Sequence, residues 1–266
     1  MIDMIESVYF PIERAILFIQ NGAAATVQGL ALGILSNDQL ERLTQHRYLK
    51  ESASNDSCAS EAYLNSGLSL WEREAISRYF TNCGSVLVAA AGAGREMLAL
   101  VEAGFRVDGF DCCAPLVEVG RNEFERRGLD ANLQHALPSS VPDGLHSYDA
   151  VIVGFSGYMY IPSRKRRVSF LRQLSELLKP NSPLMISFTE GTYGRRRTWT
   201  ARIGTVIRKL RGAEPVEEGD TLKDGFQHHF LPDQVASEFD EAGLDLEYYS
   251  GGTSYGNAVG IVRKGK

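Results

Sequence analysis

The chain is poor in cysteine, lacks a long apolar run and carries no surplus of positive charge. Its four cysteines stand at 58, 83, 112 and 113, with no CxxC spacing and no even framework of the kind that staples small secreted domains. A disulfide scaffold is excluded on that count, and reduced intracellular thiols are expected. The opening Met1-Ile2-Asp3-Met4-Ile5-Glu6 has neither the basic region nor the apolar region of a secretory signal. The most apolar stretch, Ala23 to Leu35, is interrupted by Gln28 and glycines and is too short to span a bilayer. The expectation is therefore a cytoplasmic protein with no membrane association. Lys and Arg number 28 against 33 Asp and Glu, a formal charge of -5 that argues against wholesale attraction to nucleic acid but leaves room for local basic patches. Internal repeats and low-complexity tracts are also missing.

What is present suits one sizeable core: 266 residues, 44% of them hydrophobic. Residues 1–75 read as an N-terminal helical cap, with apolar helical faces over Glu13 to Phe18, Thr26 to Leu35 and Asn37 to Tyr48, and a polar loop from Glu51 to Ser60. Ser69-Leu70-Trp71-Glu72 has the form of a capping box opening a helix through Phe80. From Ser85 onward, short apolar runs alternate with amphipathic segments, as a parallel sheet with crossover helices requires. Strands are expected at 85–91, 106–110, 131–135, 148–154, 184–188, 245–249 and 258–263, and helices at 94–103, 114–127, 163–178 and 232–242. The fold class is α/β: a seven-stranded, doubly wound, mostly parallel Rossmann-like sheet occupying 76–266, with an insertion at about 190–226.

The strand Val86-Leu87-Val88 runs into Ala90-Ala91-Gly92-Ala93-Gly94 and directly on to the helical Arg95 to Leu100. Strand, glycine turn and helix in this order make a ligand site, because small residues let a ligand approach the backbone while the helix start offers unpaired N–H groups. A dinucleotide fingerprint would need a third glycine where Met97 stands, which disfavours a pyrophosphate. The second strand finishes at Asp111, where a carboxylate can accept both hydrogen bonds of a ribose diol.

With this pairing the chain resembles the class I S-adenosylmethionine-dependent methyltransferases from about Trp71 to Val262. The resemblance implies S-adenosylmethionine as cofactor, with Ala90, Ala91, Gly92 and Gly94 at its methionine and ribose portions and Asp111 on the ribose. It further implies Cys112 beside the adenine, Ala136 and Leu137 near the adenine amine, and Gly154 and Phe155 at the fourth-strand exit where cofactor and acceptor meet. Two positions depart from the family pattern: Val88 replaces an acid and Ala90 replaces a glycine. Arg95, Tyr63 and Ser66 are candidates for holding the methionine end in their place.

For catalysis, His228, His229 and Tyr158 are the candidates, since imidazole titrates where an acceptor hydroxyl needs help losing a proton. Tyr160, Glu190 and Tyr193 are rivals. Vicinal Cys112 and Cys113 have no accompanying ligand cluster, so no metal is assigned. Seven positive residues and no acid lie between 195 and 211, and Arg164-Lys165-Arg166-Arg167 forms a second cluster. The leading expectation is methyl transfer to an O or N nucleophile of a small or medium-sized metabolite that can carry an anionic group. An RNA methyltransferase using the 195–211 segment and a non-catalytic binding subunit are the alternatives, with nucleic acid disfavoured by the acidic total and a homodimer among the allowed states.

Overall fold

The computed structural model describes residues 22–51, 58–223, 225–251 and 255–263. The helix expected over Glu13 to Phe18 and most of the Glu51 to Ser60 loop lie outside these residues. The described part of α1 spans 22–34. It is followed by α2 (Asn37–Glu51), α3 (Glu61–Leu64) and α4 (Leu70–Tyr79). At the start of α4 the Glu72 carboxylate accepts the Ser69 backbone N–H at 2.6 Å, as the capping-box spacing anticipates.

The alternating part of the chain comprises β1 (Ser85–Ala89), α5 (Arg95–Glu102), β2 (Arg106–Asp111), α6 (Ala114–Arg127), β3 (Ala131–His135) and β4 (Ala150–Val153). A single 3-10 turn (Gly157–Tyr160), α7 (Arg164–Glu176), β5 (Pro183–Glu190) and α8 (Arg195–Leu210) come next. The chain ends with β6 (Asp220–Leu222), β7 (Phe226–Phe230), α9 (Pro232–Glu241), β8 (Leu244–Ser250) and β9 (Tyr255–Val262). Strands β3, β2, β1, β4 and β5 are parallel neighbours in that order. Strand β9 runs antiparallel along β5, from Pro183↔Ile261 to Thr189↔Tyr255, and β8 closes the edge antiparallel to β9.

These seven strands are the seven expected, but among the described residues the sheet has nine. The extra pair is the hairpin of β6 and β7, which joins the end of β5 where Thr189 pairs with His229 and Glu190 with Phe230. Its signal was a period-two pattern: Phe226, His228 and Phe230 are buried while Gln227 and His229 are partly exposed. Two histidines in that alternation disguised a strand as a functional segment.

Strands β1 and β4 are buried on both faces, which is why they read as continuous apolar runs rather than alternating ones. One face is covered by α7 and α9, through Leu171, Leu174, Val235 and Phe239. The other is covered by α4, α5 and α6, through Ile76, Leu98, Leu116 and Phe124. Each such fully buried side chain contributes about 1.5–3 kcal/mol relative to exposure. A third, smaller cluster joins Leu32 and Leu40 of the cap to Ala201, Val216 and Phe226, so α1 and α2 rest on α8 and β7. The contact of α1 with α8 is close: a Cβ on Gly29 would stand 2.7 Å from the Thr200 carbonyl, and one on Gly33 2.7 Å from Ile207 Cβ. Among the described residues, no helix is long and apolar enough to cross a membrane.

Candidate functional site

The turn after β1 is held between its two neighbouring strands. Ala91 N–H donates to the Phe110 carbonyl at 3.0 Å, and Gly154 N–H donates to that of Ala89 at 2.7 Å. Asp111, the last residue of β2, binds the turn from the side: its Oδ2 accepts the Gly92 N–H at 2.8 Å and its Oδ1 accepts the Cys113 N–H at 2.7 Å. Gly94 has no room for a side chain, because its φ is +91° and a Cβ would lie 2.4 Å from Phe124 Cζ. Ala90 also adopts a left-handed conformation, φ 52°, where the family pattern has glycine. Met97, which stands where a dinucleotide site needs its third glycine, packs on Gly109; a Cβ there would come 2.4 Å from the Met97 sulfur. Helix and strand thus approach through the opposite partner's glycine.

Above this turn, between the carboxyl ends of β1, β2 and β4 and the cap helices, lies a cavity of about 350 Å³. Seven of the expected cofactor residues line it: Ala90, Ala91, Gly92, Asp111, Cys112, Leu137 and Phe155. Gly94, Ala136 and Gly154 lie behind that lining. Ala136 is buried and its N–H donates to the Asp111 carbonyl at 3.0 Å. Gly154 packs so tightly that a Cβ would be 2.4 Å from the Ala90 carbonyl. Their place is to shape the backbone that the lining residues present.

Tyr160, a rival candidate for catalysis, also lines the cavity, and several lining residues were not anticipated: Glu41, Gln45 and Tyr48 of α2, Glu96 of α5, and Ser139. Helix α2 is strapped across the opening by Gln45, whose Nε2 donates to the Cys112 carbonyl at 2.7 Å, and by Glu41, which accepts from Arg166 Nη1 at 2.8 Å. The sequence pattern of α2 shows a helix but not which turn covers a site. Of the candidates for the methionine end, Tyr63 lines the cavity. Arg95 is buried behind it and Ser66 is exposed, donating to the Tyr63 carbonyl at 2.7 Å.

Three carboxylates line this space: Glu41, which is paired with Arg166, and the more deeply placed Asp111 and Glu96. Burial raises the pKa of Asp111, opposed by the N–H groups of Cys113 and Gly92. Burial likewise raises that of Glu96, opposed first by Arg95. Between them the lining is small and apolar. Burial pushes the tyrosine hydroxyl of Tyr63 and the thiol of Cys112 up to about 12, and carries Tyr48 well above its ordinary value. This donor set fits a nucleoside with a free ribose diol at Asp111 and a positively charged tail toward Glu96, which is the chemistry of S-adenosylmethionine.

The three catalytic candidates stand outside the cavity lining. Tyr158 is fully buried and donates to Glu238 Oε2 at 2.5 Å. Arg167 bridges Glu238 and Glu217, each at 2.7 Å from its Nη2. His228, fully buried, has Nδ1 2.7 Å from Asp220 Oδ1. Burial pulls His228 down to about 3 and His229 down to about 4, so both are neutral near pH 7. His229 is half-buried, and Tyr193, its neighbour, donates its hydroxyl to the His229 carbonyl at 2.7 Å. Glu217, Asp220 and His228 present ligand atoms within 4.8 Å of one another, but the guanidinium of Arg167 already meets that negative charge.

The basic segments divide in the same way. Arg208 is buried and caps α1 from below, donating to the carbonyls of Leu32 at 2.9 Å and Leu35 at 3.2 Å and to Asn37 at 2.8 Å. Arg211 donates to the Gly33 carbonyl at 3.2 Å. Arg164 pairs with Glu241, and Arg166 with Asp38 and Glu41. These arginines serve helix ends and acids rather than a shared surface.

Residues 86–181, from β1 to the turn before β5, match the model of a methyltransferase domain family. No curated protein matches the chain. Among solved structures, a SAM-dependent methyltransferase from Methanosarcina mazei is 18% identical with a TM-score of 0.57, over 74% of this chain and 99% of that one. An amino pentose methyltransferase from Micromonospora echinaspora involved in calicheamicin biosynthesis is 16% identical with a TM-score of 0.52, over 75% and 94%. A glycopeptide N-methyltransferase bound to S-adenosylmethionine is 16% identical with a TM-score of 0.52, over 72% and 86%. At these identities the likeness is one of fold. The matched segment spans the β1 turn, Asp111 and the β4 exit, so the part of the chain that builds the cavity is the part that matches a methyltransferase domain, on a fold shared with SAM-dependent methyltransferases.

Proposed function

We propose that the enzyme methylates an amine nitrogen of a small, largely apolar acceptor, without a protein general base. The observation that carries this reading is the character of the cavity wall. Among the described residues no histidine or lysine lines it, its carboxylates are engaged by Arg166 (Glu41), Arg95 and the Phe155 N–H (Glu96) and backbone N–H groups (Asp111), and Tyr48 and Tyr63 are held neutral by burial. Neutral hydroxyls can orient a nucleophile by hydrogen bonding, but they do not take a proton near pH 7. An unprotonated amine already has a free lone pair, so alignment supplies most of what the reaction needs.

S-adenosylmethionine supplies an electrophilic methyl group on its sulfonium. The chain's residues do the rest by placement: Asp111 anchors the nucleoside, the α2 helix excludes water, and the acceptor is received between Tyr48, Tyr160 and the exposed pair Phe155 and Tyr255. The rings of Tyr48 and Tyr160 meet edge-on with centroids 5.4 Å apart, and those of Phe155 and Tyr255 lie 5.2 Å apart. The cavity volume, near the lower end of the roughly 300–1,000 Å³ typical of ligand sites, suits a cofactor plus a small acceptor. Among the fold relatives, one is an amino pentose methyltransferase and one a glycopeptide N-methyltransferase, which supports an amine as the attacking group.

The test is transfer of a labelled methyl group to matched panels of amines, carboxylic acids, phenols and transcribed RNA. Transfer to amines is expected, with a rate that rises with pH as the acceptor's own ammonium deprotonates and shifts when the acceptor is exchanged for one of different basicity. Labelling of RNA, or of phenols alone, would overturn it.

A further inference from the structure

The family's acid within the first strand is Val88 here, fully buried in the core. A charge of the same sign reaches the cavity by another route. Glu96, in the first turn of α5, lines the cavity and is 3% exposed. Its Oε1 accepts the Phe155 backbone N–H at 3.0 Å and Arg95 Nη2 at 2.7 Å. The same guanidinium donates to Glu72, at 2.6 Å to Oε1 and 3.0 Å to Oε2, and Glu72 is 1% exposed.

Two buried carboxylates therefore share one buried arginine, so that with both ionised the cluster is one positive charge short. Burial of an unmatched charge is costly, and it is tolerated where a counter-charge can arrive. Glu72 and Arg95 do not line the cavity; Glu96 does. The cavity is the route by which a cation can complete the cluster.

We infer that Glu96 is the residue that binds the α-ammonium group of the cofactor's methionine tail, taking over from the absent strand acid, with Arg95 as a positioning residue that fixes its carboxylate. The inference rests on the cofactor assignment and concerns how one end of it is recognised. The bond from Phe155 N–H strengthens it, since it ties Glu96 to the exit of β4, on the opposite side of the β1 turn from Asp111. A carboxylate at each end of the turn then separates the two tasks: Asp111 reads the ribose, Glu96 reads the amine.

Calorimetric titration of the full chain with two ligands distinguishes these tasks. S-adenosylhomocysteine carries the amino-acid tail; 5′-methylthioadenosine keeps the nucleoside and lacks the tail. Glu96→Gln is expected to weaken S-adenosylhomocysteine at least tenfold and leave 5′-methylthioadenosine within twofold of the unmodified protein. Glu96→Asp, which keeps the charge, guards against misfolding of the first variant and should show a smaller loss, again confined to S-adenosylhomocysteine. An equal loss for both ligands, or no loss for either, overturns the inference. If the unmodified protein binds neither ligand, the cofactor assignment fails and the inference falls with it.

Discussion

The carboxylate of Asp111 and the backbone N–H of Gly92 are 2.8 Å apart, although 19 residues separate them in the chain. This bond closes the nucleoside turn against the end of the second strand. With the Cys113 N–H on the other oxygen, both Asp111 oxygens are fixed by backbone groups while the side chain still lines the cavity.

Asp111→Asn should therefore act on ligand and fold together. The amide nitrogen would face an N–H group in place of an acceptor oxygen, costing about 1–3 kcal/mol of stability. Affinity for S-adenosylhomocysteine and for 5′-methylthioadenosine should fall together, each by more than tenfold. Thermal melts and calorimetry check both parts; unchanged affinity for either ligand would remove Asp111 from the ribose site.

The turn itself predicts opposite responses at neighbouring positions. Gly94→Ala forces a Cβ into the Phe124 ring at a left-handed φ and should cost about 2–4 kcal/mol. Pairing it with Phe124→Leu should recover part of that loss. Ala90→Gly relieves a left-handed alanine and should leave stability unchanged or raise it by about 0.5–1 kcal/mol. Urea midpoints measure all three, and a tolerated Gly94→Ala would contradict the packing.

The two histidines of β7 contribute to the acid response. Folded His228 and His229 titrate at about 3 and 4, below the ordinary 6.5, so the unfolded chain takes up two protons that the folded one refuses. Their contribution is complete above pH 6.5 and is lost as the pH falls. Asp220, raised by burial to about 6 from 3.8, works in the other direction, since its folded carboxyl holds a proton that the unfolded one has released. Asp111 and Glu96, also raised by burial, work in the same direction as Asp220, so the histidine contribution is read as a difference between proteins. His228→Gln removes one of the two histidines and should make stability less sensitive to acid than in the unmodified protein; an unaltered pH dependence in denaturant melts would refute the assignment.

Arg208→Met should lower stability by about 2–4 kcal/mol, because the carbonyls of Leu32 and Leu35 lose a buried donor at the end of α1. The exposed Arg195→Gln should stay within about 0.5 kcal/mol. Comparable losses for the two would mean that the basic run acts as a unit.

Much of this protein follows from local order along the chain. Alternating apolar runs and amphipathic segments yield seven strands and their crossover helices, because a strand buried on both faces needs a continuous apolar run and a helix needs a single stripe. The turn after β1 and the acid at the end of β2 are legible for the same reason: each occupies a fixed place relative to the strand that precedes it. The hairpin of β6 and β7 escaped, since its buried positions include a histidine that no hydrophobic pattern marks.

Side-chain direction and charge pairing were settled only by the tertiary structure. Tyr158 and Tyr160 lie two residues apart on one 3-10 turn, yet the first enters the core and the second the cavity. His228 and His229 carry the right chemistry for a base, but the β7 pleat buries the first among acids and an arginine and leaves the second outside the cavity lining. Arg208 looks like part of a basic face and is a helix cap, and Glu96 looks like an ordinary first-turn acid and faces the cavity. In each case the deciding partner lies many residues away, and only the packed chain brings it close enough for its charge, its hydrogen bond or its exclusion of water to matter.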